Sequence, residues 1–573
     1  MEASIQAREA RDIAMTTTFA GEHRDRPFTP DGSFSLLRPA GSLTWLFTYL
    51  KLLLNYGSAA FVSFPASPSL SSILSSPPLF LRIEIAEKYL CKPSRGPRWP
   101  PNMADRGSLR VLRELKQLER SDQLAITVSY KERNIRDINA LIIGPPGTPY
   151  AYGFYQVRSL NDALDATGQK DPTRLTGTCE RGSSPSSFPM IEYPARPPKV
   201  SLRTTNKGLT RFGPNLYANG KVCLTWTGER GEEWSAAQGL ESVLLSIQSL
   251  LATKPYFLEP GFEHDTNEKD VEIYSSKIRH ENLRLAIIAP LEKAFGIEPV
   301  ADPPSSRSES QSREESSENM ILNHLGRANL EVDLFEDFCK QRLLWYMELY
   351  KDATQEGITK EGDRHLSRFP QMAFESRGNN MCGQWDYHTL KDRLDVLEKL
   401  IIEETDRWPM EGLQAAKDDA GIAVSLRAQL EQISAALAVR SEGTIEVKMV
   451  DENPFLWRLT YIGRPMTQFD GGILKVKIYI SPRHPVQQPR VFLETPLYHV
   501  RVSTQNVLAY LPARAEEMSR HIDGIITSLE EEQPPFNPYM TVNPEATKLC
   551  WGSKDEQRLY ARKLRRSVEK TME

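Results

Sequence analysis

The chain has 573 residues, which predicts about three to four domains because one compact core seldom grows that large. Its 40% hydrophobic and 25% charged residues are typical of a globular protein, and a net charge of -4 excludes the basic surplus of a nucleic-acid binder. The 6 cysteines form no C-x-x-C pair, so the sequence indicates neither a disulfide framework nor a zinc module. We therefore expect a protein of a reducing compartment, the cytosol or the nucleus.

The N-terminal region contains one apolar run, from Leu43 to Phe64. It is long enough to suggest a membrane span, but Lys51 stands near its middle, where a charge is costly in a bilayer. A secretory signal would begin closer to Met1. Met103 opens a segment typical of a natural start, so we interpret residues 1–102 as a poorly ordered or artefactual extension, with a membrane span as the alternative.

The next region begins with a helix and two extended runs. Val111, Leu112, Leu115 and Leu118 share one side of a helical pattern. The runs LAITVSY and DINALIIG follow, and the turn-forming residues Pro145-Pro146-Gly147 end the second run. This order predicts strands that succeed a first helix.

A long helix is predicted to begin near Ser235. Ser235 is followed three residues later by Gln238, which is a capping-box pattern, and an apolar stripe follows it. Further helices are predicted over 267–280 and 281–295.

The second half of the chain opens with a polar segment. Residues 298–320 are charged and lack apolar periodicity, which predicts a disordered linker. A helical connecting region follows over 321–412, with amphipathic patterns at 321–350 and 390–406, and another helix is predicted over 412–438. Strand-like text then returns as TIEVKMV, FLWRLTYIG and GGILKVKIYI.

One cysteine stands in a distinctive setting, the segment FGPNLYANGKVCLTWTG. Asn215 lies eight residues before Cys223, Asn219-Gly220 supply a turn between them, and Trp234-Ser235 open the predicted helix. The segment GPPGTPYAYGFY lies upstream of this cysteine segment, and FPMIEYPARPPKV lies between the two. In this order and spacing, the motifs resemble the ubiquitin-conjugating enzyme family from about residue 104 to 297. The run TWTG…WS…SIQSLL…PGFE is most similar to large-type members, such as the module at the end of an inhibitor-of-apoptosis protein.

The resemblance implies an α+β fold, an antiparallel meander sheet flanked by helices. It also implies that Cys223 is the nucleophile that takes the carboxyl terminus of ubiquitin, or of a ubiquitin-like protein, from an activating enzyme. The carried protein would then pass to a substrate lysine or to a ligase. The implied partners are ubiquitin or a ubiquitin-like protein, an activating enzyme, a ligase and a protein substrate. We expect no nucleic acid, no membrane and neither a metal nor an organic cofactor.

Two further residues receive roles from the resemblance. Asn215 matches the family's asparagine, whose amide stabilises the oxyanion of the transfer step or orders the loop; an ordinary turn residue is the alternative. Glu259 in KPYFLEPGFE is the nearest candidate for an acid that activates the incoming lysine, and a solvated loop charge is the alternative. The family's His-Pro-Asn reads Gly213-Pro214-Asn215 here. Outside this context, Cys223 would be interpreted as a small buried hydrophobe.

An unusual segment interrupts the predicted conjugating domain. Residues 157–187 are polar and lack strand periodicity, where the family continues with an alternating strand. We therefore expect the central strand to be missing. A retained intron is one hypothesis, since a splice donor often translates as Val-Arg, the pair at Val157-Arg158; a genuine insertion with a displaced strand is the other.

A second copy of the motif order is visible near the C-terminus, at 463–495. Matching Gln505-Asn506 to Asn219-Gly220 places Ala509 at the cysteine position and Arg501 at the asparagine position. We therefore predict a conjugating-enzyme-like domain over 413–573 that lacks its nucleophile and acts by binding ubiquitin, a partner chain or the first domain. An unrelated α+β domain is the alternative.

The predicted organisation has five parts. They are an N-terminal extension, a conjugating domain with an insertion at about 157–187, a linker, a connecting region and an inactive copy, at 1–102, 103–297, 298–320, 321–412 and 413–573. The leading hypothesis is an active ubiquitin-conjugating enzyme. A non-catalytic ubiquitin-binding or scaffold protein is the alternative, and a cysteine hydrolase is less consistent because no His–Asp or His–Asn arrangement accompanies the thiol.

Overall fold

The structure is a computed structural model. It describes residues 106–119, 123–131, 134–159, 193–224, 233–265, 267–298, 335–532 and 534–572. The predicted N-terminal extension with its apolar run, the predicted linker apart from Glu298 and most of the predicted insertion lie outside these ranges. Within them, no helix combines the length and the apolar character that a membrane crossing requires.

A first sheet is built from four antiparallel strands in the order β1-β2-β3-β4. Helix α1 (Arg106–Glu119) precedes it and buries Val111, Leu115 and Leu118, which confirms the predicted apolar side. The strands are β1 (Ile126–Lys131), β2 (Asn134–Ile143), β3 (Phe154–Ser159) and β4 (Val200–Leu202).

The turn between β2 and β3 is tight. Gly144 donates its N–H to the Gly153 carbonyl at 2.9 Å, and a Cβ on Gly144 would lie 1.8 Å from the Tyr150 carbonyl oxygen. Only glycine therefore fits where the chain leaves β2. This confirms the turn predicted at Pro145-Pro146-Gly147.

The expectation that the central strand is missing is wrong. Strand β3 runs through Val157 and Arg158, with Val157 paired to Ala140 on β2 and to Leu202 on β4. The Val157 side chain is buried, and Arg158 pairs with Asp137 at 2.8 Å. The sequence after β3 is polar, so its pattern did not indicate a strand, and β3 is stabilised by pairing with β2 and with the more distant β4. The intron and insertion hypotheses remain predictions for residues 160–187, outside the described ranges.

Helices follow the first sheet. They are α2 (Leu240–Ser249), α3 (Glu268–Glu281) and α4 (Ala289–Ala294), with a π-helical segment at Asn282–Ile288 between the last two. The predictions at 267–280 and 281–295 are confirmed. A helix beginning near Ser235 is wrong, because α2 starts at Leu240 and Ser235 and Gln238 instead close a turn, with the Gln238 N–H on the Ser235 carbonyl at 2.9 Å.

Three further helices precede the second sheet: α5 (Glu336–Glu361), α6 (Tyr387–Asp418) and α7 (Gly421–Arg440). The predicted helix at 390–406 lies within α6. The single helix predicted over 412–438 is wrong, because α6 ends at Asp418 and α7 begins at Gly421. The Gly421 N–H donates to the Asp419 side chain at 2.8 Å across this break.

A second four-stranded antiparallel sheet has the order β5-β6-β7-β8. Its strands are β5 (Ile445–Val450), β6 (Asn453–Ile462), β7 (Ile473–Tyr479) and β8 (Arg490–Leu493), so the three strand-like runs are confirmed. The helices after it are α8 (Met518–Glu530), α9 (Pro544–Cys550) and α10 (Lys554–Glu569).

The two sheets agree in detail. The register of β1 on β2 shifts between Tyr130 and Lys131, and that of β5 on β6 shifts between Met449 and Val450. The β6–β7 turn also needs a glycine, since a Cβ on Gly463 would lie 1.6 Å from the Phe469 carbonyl oxygen. These two antiparallel sheets with flanking helices match the predicted α+β class and are consistent with a repeated fold.

Candidate active site

The Cys223 loop, residues 210–224, is shaped by backbone hydrogen bonds. Cys223 donates its N–H to the Asn215 carbonyl at 2.9 Å, and a bridge joins Leu216 to Val222. Gly220 turns the chain with φ at +87°, a conformation that favours glycine. The predicted Asn219-Gly220 turn is therefore present. It brings Asn215 next to Cys223 although eight residues separate them.

Cys223 is a free thiol of intermediate exposure at the end of this loop. Tyr217 is a neighbour of this thiol; burial, together with the adjacent thiol, raises the pKa of Tyr217 above its usual range. The ammonium of Lys221 stands 5.5 Å from the Tyr217 ring centroid. The thiol is therefore partly exposed, and a nucleophile has to be accessible to the carbonyl carbon that it attacks.

Asn215 contributes its carbonyl to the loop and keeps its amide side chain available. Among the described residues, the amide has no hydrogen-bond partner, and the side chain is partly exposed. A side-chain amide with free donors beside a nucleophile can stabilise negative charge that develops on an attacked carbonyl. The oxyanion role of Asn215 stays a prediction.

Glu259 stands in an ion pair. Its Oε2 accepts from Nη2 of Arg211 at 2.8 Å, with 22% of the Glu259 side chain exposed and 3% of that of Arg211. The Arg211 guanidinium also donates to the Gly213 carbonyl of the Cys223 loop at 3.1 Å. The geometry therefore connects Glu259 to the Cys223 loop through Arg211.

Two residues of the site were not predicted, Arg211 and Tyr217. Both lie inside the motif segment, but neither has a spacing that points to chemistry. Arg211 follows Thr210 and precedes Phe212, and this local pattern does not indicate that its guanidinium is buried. Tyr217 carries none, because a tyrosine in a loop is ordinary.

The Ala509 loop, residues 496–510, repeats this geometry without the thiol. Ala509 donates its N–H to the Arg501 carbonyl at 2.8 Å, and Val502 bridges to Leu508. Asn506, with φ at +60°, stands where Gly220 stands in the Cys223 loop. The predicted match of Ala509 to Cys223 and of Arg501 to Asn215 therefore holds in the backbone pairing.

The positions of the Ala509 loop that match Cys223 and Asn215 are buried. Ala509 has no exposed surface. The Arg501 guanidinium pairs with Glu531 at 3.1 Å, and Thr504 donates its hydroxyl to Glu348 on α5 at 2.6 Å. Cys550 is buried in α9, and burial raises the pKa of its thiol.

Comparison with known proteins adds an independent line. A family model for the ubiquitin-conjugating enzyme matches residues 187–279, which include both Asn215 and Cys223. This part of the chain is a ubiquitin-conjugating domain. The ubiquitin-conjugating enzyme E2 Z of Xenopus tropicalis is 37% identical over 188 residues, which cover 32% of this chain and 50% of that protein.

Other relatives carry a conjugating domain in longer proteins. The probable ubiquitin-conjugating enzyme protein 17 of Caenorhabditis elegans is 35% identical over 206 residues, covering 34% of this chain and 24% of that protein. The dual E2 ubiquitin-conjugating enzyme/E3 ubiquitin-protein ligase BIRC6 of Homo sapiens is 32% identical over 178 residues, 29% of this chain and 3% of that protein. The chain thus spans about half the length of E2 Z and a smaller share of the other two relatives. Membership of residues 413–573 in the same family stays a prediction.

Among the described residues, no group of three or more His, Cys, Asp or Glu side chains is arranged to hold a metal ion.

Proposed function

We propose that the conjugating domain accepts ubiquitin or a ubiquitin-like protein as a thioester on Cys223 and passes it to a substrate lysine or a ligase cysteine. The observation that carries this proposal is the hydrogen bond between the Cys223 N–H and the Asn215 carbonyl, 2.9 Å long. This backbone bond makes Asn215, whose side chain is partly exposed, a close neighbour of Cys223, a free thiol of intermediate exposure. Activating enzyme, ligase and protein substrate are the partners that this activity requires.

The proposed reaction has two balanced steps. The Cys223 sulfur attacks the carbonyl carbon of the modifier's thioester, and the thiol of the activating enzyme leaves. A lysine amine then attacks the new thioester, an amide forms, and the Cys223 sulfur leaves as a thiolate and regains a proton. Both steps pass through an oxyanion, and we infer that the Asn215 amide stabilises it.

Glu259 has a second proposed role. Its ion pair with Arg211 supports a function as an anchor of the Cys223 loop. We infer that activation of the incoming lysine by the Glu259 carboxylate is the weaker of the two interpretations, because the base would have to give up a buried partner.

The C-terminal region is proposed to be a degenerate copy that binds the rest of this chain. Val507, Ala509 and Val542 belong to the same apolar core as α5 and the conjugating domain. In addition, the Tyr152 hydroxyl donates to the Pro538 carbonyl at 3.3 Å. A surface already buried in this way is not open to ubiquitin, which supports binding in cis over the other two predicted roles.

An adduct assay tests the proposed activity. The full chain is incubated with activating enzyme, ATP and ubiquitin, and with other ubiquitin-like proteins in parallel, and resolved without reductant. We expect a reductant-sensitive adduct that disappears in Cys223→Ala and persists in Cys382→Ala, the matched control at an exposed cysteine. No adduct with any modifier would favour the non-catalytic scaffold.

The free thiols that the structure describes fit a reducing compartment, the cytosol or nucleus.

A further inference from the structure

A ribbon between α5 and α6 reaches the Cys223 loop from outside the conjugating domain. This connector ribbon, residues 365–386, folds back on itself: Phe369 donates its N–H to the Gly383 carbonyl at 2.9 Å, and a bridge joins Arg368 to Gln384. Its tip is a turn closed by the Asn379 N–H on the Ser376 carbonyl at 2.9 Å.

The tip of the connector ribbon pairs with the Cys223 loop at three backbone positions. Thr210 bridges to Met381, and Arg211 donates its N–H to the Asn380 carbonyl at 3.0 Å. The Ala218 N–H donates to the side-chain oxygen of Asn379 at 3.1 Å. These contacts bracket Asn215, since they hold the loop both before and after it.

The Arg211 guanidinium joins the same two segments from the inside. It donates to the Gly213 carbonyl at 3.1 Å, to the Pro214 carbonyl at 2.9 Å and to the Phe374 carbonyl of the ribbon at 3.0 Å. With the Glu259 ion pair, it thus has four acceptors in a buried setting. Because its donors form a planar fork, they fix the position of the turn that carries Asn215.

The ribbon itself is firmly attached to the conjugating domain. Lys277 on α3 and Glu375 on the ribbon form an ion pair at 2.8 Å, with both side chains fully buried. Glu375 also accepts from the N–H groups of Met372 at 2.9 Å and Met381 at 3.2 Å. Phe374 packs its ring at 5.2 Å from that of Tyr274. The ribbon is therefore a rigid support.

The second half of the chain offers a contrast. Numbering back from the matched pair Cys223 and Ala509, the position of Arg211 is occupied by Leu497 and that of Ala218 by Thr504. The loop without a thiol thus has no guanidinium at this position. The support by the ribbon occurs where the thiol and the amide occur.

We propose that the connector ribbon, through Asn379 and Arg211, holds the Cys223 loop in the geometry that acyl transfer requires. Both are positioning residues, because they act through the loop. The proposal rests on the proposed function, and it makes transfer by the conjugating domain dependent on residues that follow it in the chain. A displacement of about 1 Å in such a site can slow a reaction by about a hundredfold.

Asn379→Ala and Asn379→Asp in the full chain test the proposal. Alanine removes the oxygen that accepts from Ala218, whereas aspartate keeps an oxygen there. The Cys223 thioester is formed, purified from activating enzyme and ATP, and its discharge to free lysine is followed in a single turnover. We expect Asn379→Ala to reach the same extent of thioester formation and to discharge about tenfold to a hundredfold more slowly. Asn379→Asp should discharge at nearly the wild-type rate, and so should Arg377→Ala, the control at an exposed residue of the same turn.

Three results would overturn the proposal. Discharge by Asn379→Ala at the wild-type rate shows that the contact does not matter for transfer. Equal slowing in the alanine and aspartate variants shows that the acceptor oxygen is not the cause. A wild-type chain that never forms a thioester overturns the proposed function, and this one with it; it is recognised before any variant is compared.

Discussion

The Cys223 loop and the Ala509 loop share a backbone and differ in the side chains that matter. In both loops a backbone N–H donates to the carbonyl eight residues earlier: Cys223 to Asn215 at 2.9 Å, and Ala509 to Arg501 at 2.8 Å. The matched positions carry different residues: Cys223 corresponds to Ala509, Asn215 to Arg501 and Arg211 to Leu497. The shape of this loop is therefore independent of its chemistry. The proposed acyl transfer requires a free thiol, an available side-chain amide and an accessible surface in the same loop.

The largest expected effect comes from moving the thiol between the loops. Cys223→Ala should abolish the thioester, and adding Ala509→Cys to that variant should not restore it. The reason is burial, since Ala509 has no exposed surface and a thiol there cannot meet a folded protein. The measurement is the adduct assay without reductant. An adduct on the double variant would show that the Ala509 loop opens, and would break the comparison.

The second effect concerns the amide. Asn215→Ala should lower the rate of lysine discharge by about a hundredfold to a thousandfold, because one donor to the oxyanion is lost. Formation of the thioester should be affected less than discharge, if the activating enzyme helps to orient the first step. Asn219→Ala, at an exposed residue of the same loop, is the control. Discharge by Asn215→Ala at the wild-type rate would leave Asn215 as a turn residue only.

The third effect is on stability. Lys277→Met should lower the free energy of unfolding of the conjugating domain by about 3–5 kcal/mol, because Glu375 is left charged and buried without its partner. Lys351→Met breaks a more exposed pair with Glu398 and should cost about 1 kcal/mol or less. Urea denaturation measures both. Equal losses would mean that the ribbon is not anchored by this pair.

The fourth effect sharpens the comparison through pH. Burial lowers the pKa of His499 and of His521 to about 4. Both imidazoles are neutral in the folded chain, so unfolding takes up protons between pH values of about 6.5 and 4, and stability present above this window is lost as pH falls through it. Each histidine should contribute about 1 kcal/mol of loss between pH 7 and 5.5.

Hydrogen exchange in the second sheet at pH 7 and 5.5 checks this expectation. His499→Leu should reduce the pH dependence and keep the remainder that His521 supplies. A second sheet whose protection is the same at both pH values would contradict the buried, neutral state of these two side chains.

The smallest expected effect is at Glu259. Glu259→Gln keeps an oxygen for Arg211, so discharge to lysine should fall by less than about tenfold and keep the wild-type pH profile. A general base would instead show a large loss and a profile without the limb that it controls. Single-turnover discharge across pH separates the two interpretations.

Patterns that are local in sequence predicted the backbone of the Cys223 loop, whereas the roles of its residues stay predictions. The spacing of Asn215, Gly220 and Cys223 specifies a turn whose hydrogen bonds join near neighbours. For the same reason, matching Asn506 to Gly220 placed Ala509 correctly in its loop. The strand-like runs of the second sheet also held, because alternation along a strand is read within a few residues.

Contacts distant in sequence account for the wrong predictions. Helix α2 begins at Leu240 because the Leu240 N–H is capped at 3.0 Å by Glu114 from α1, and no local residue announces this. Strand β3 depends on β2 and β4. The connector ribbon was missed because its partner Arg211 lies 163 residues away from Phe374.

The most direct measurement of the central claim locates the adduct. The full chain is charged with activating enzyme, ATP and the modifier that supports an adduct, and mass spectrometry under non-reducing, acidic conditions identifies the modified peptide. The account predicts a single thioester on the peptide that contains Cys223, lost on addition of reductant. A thioester on Cys339, Cys382 or Cys550, or none with any modifier, would contradict it.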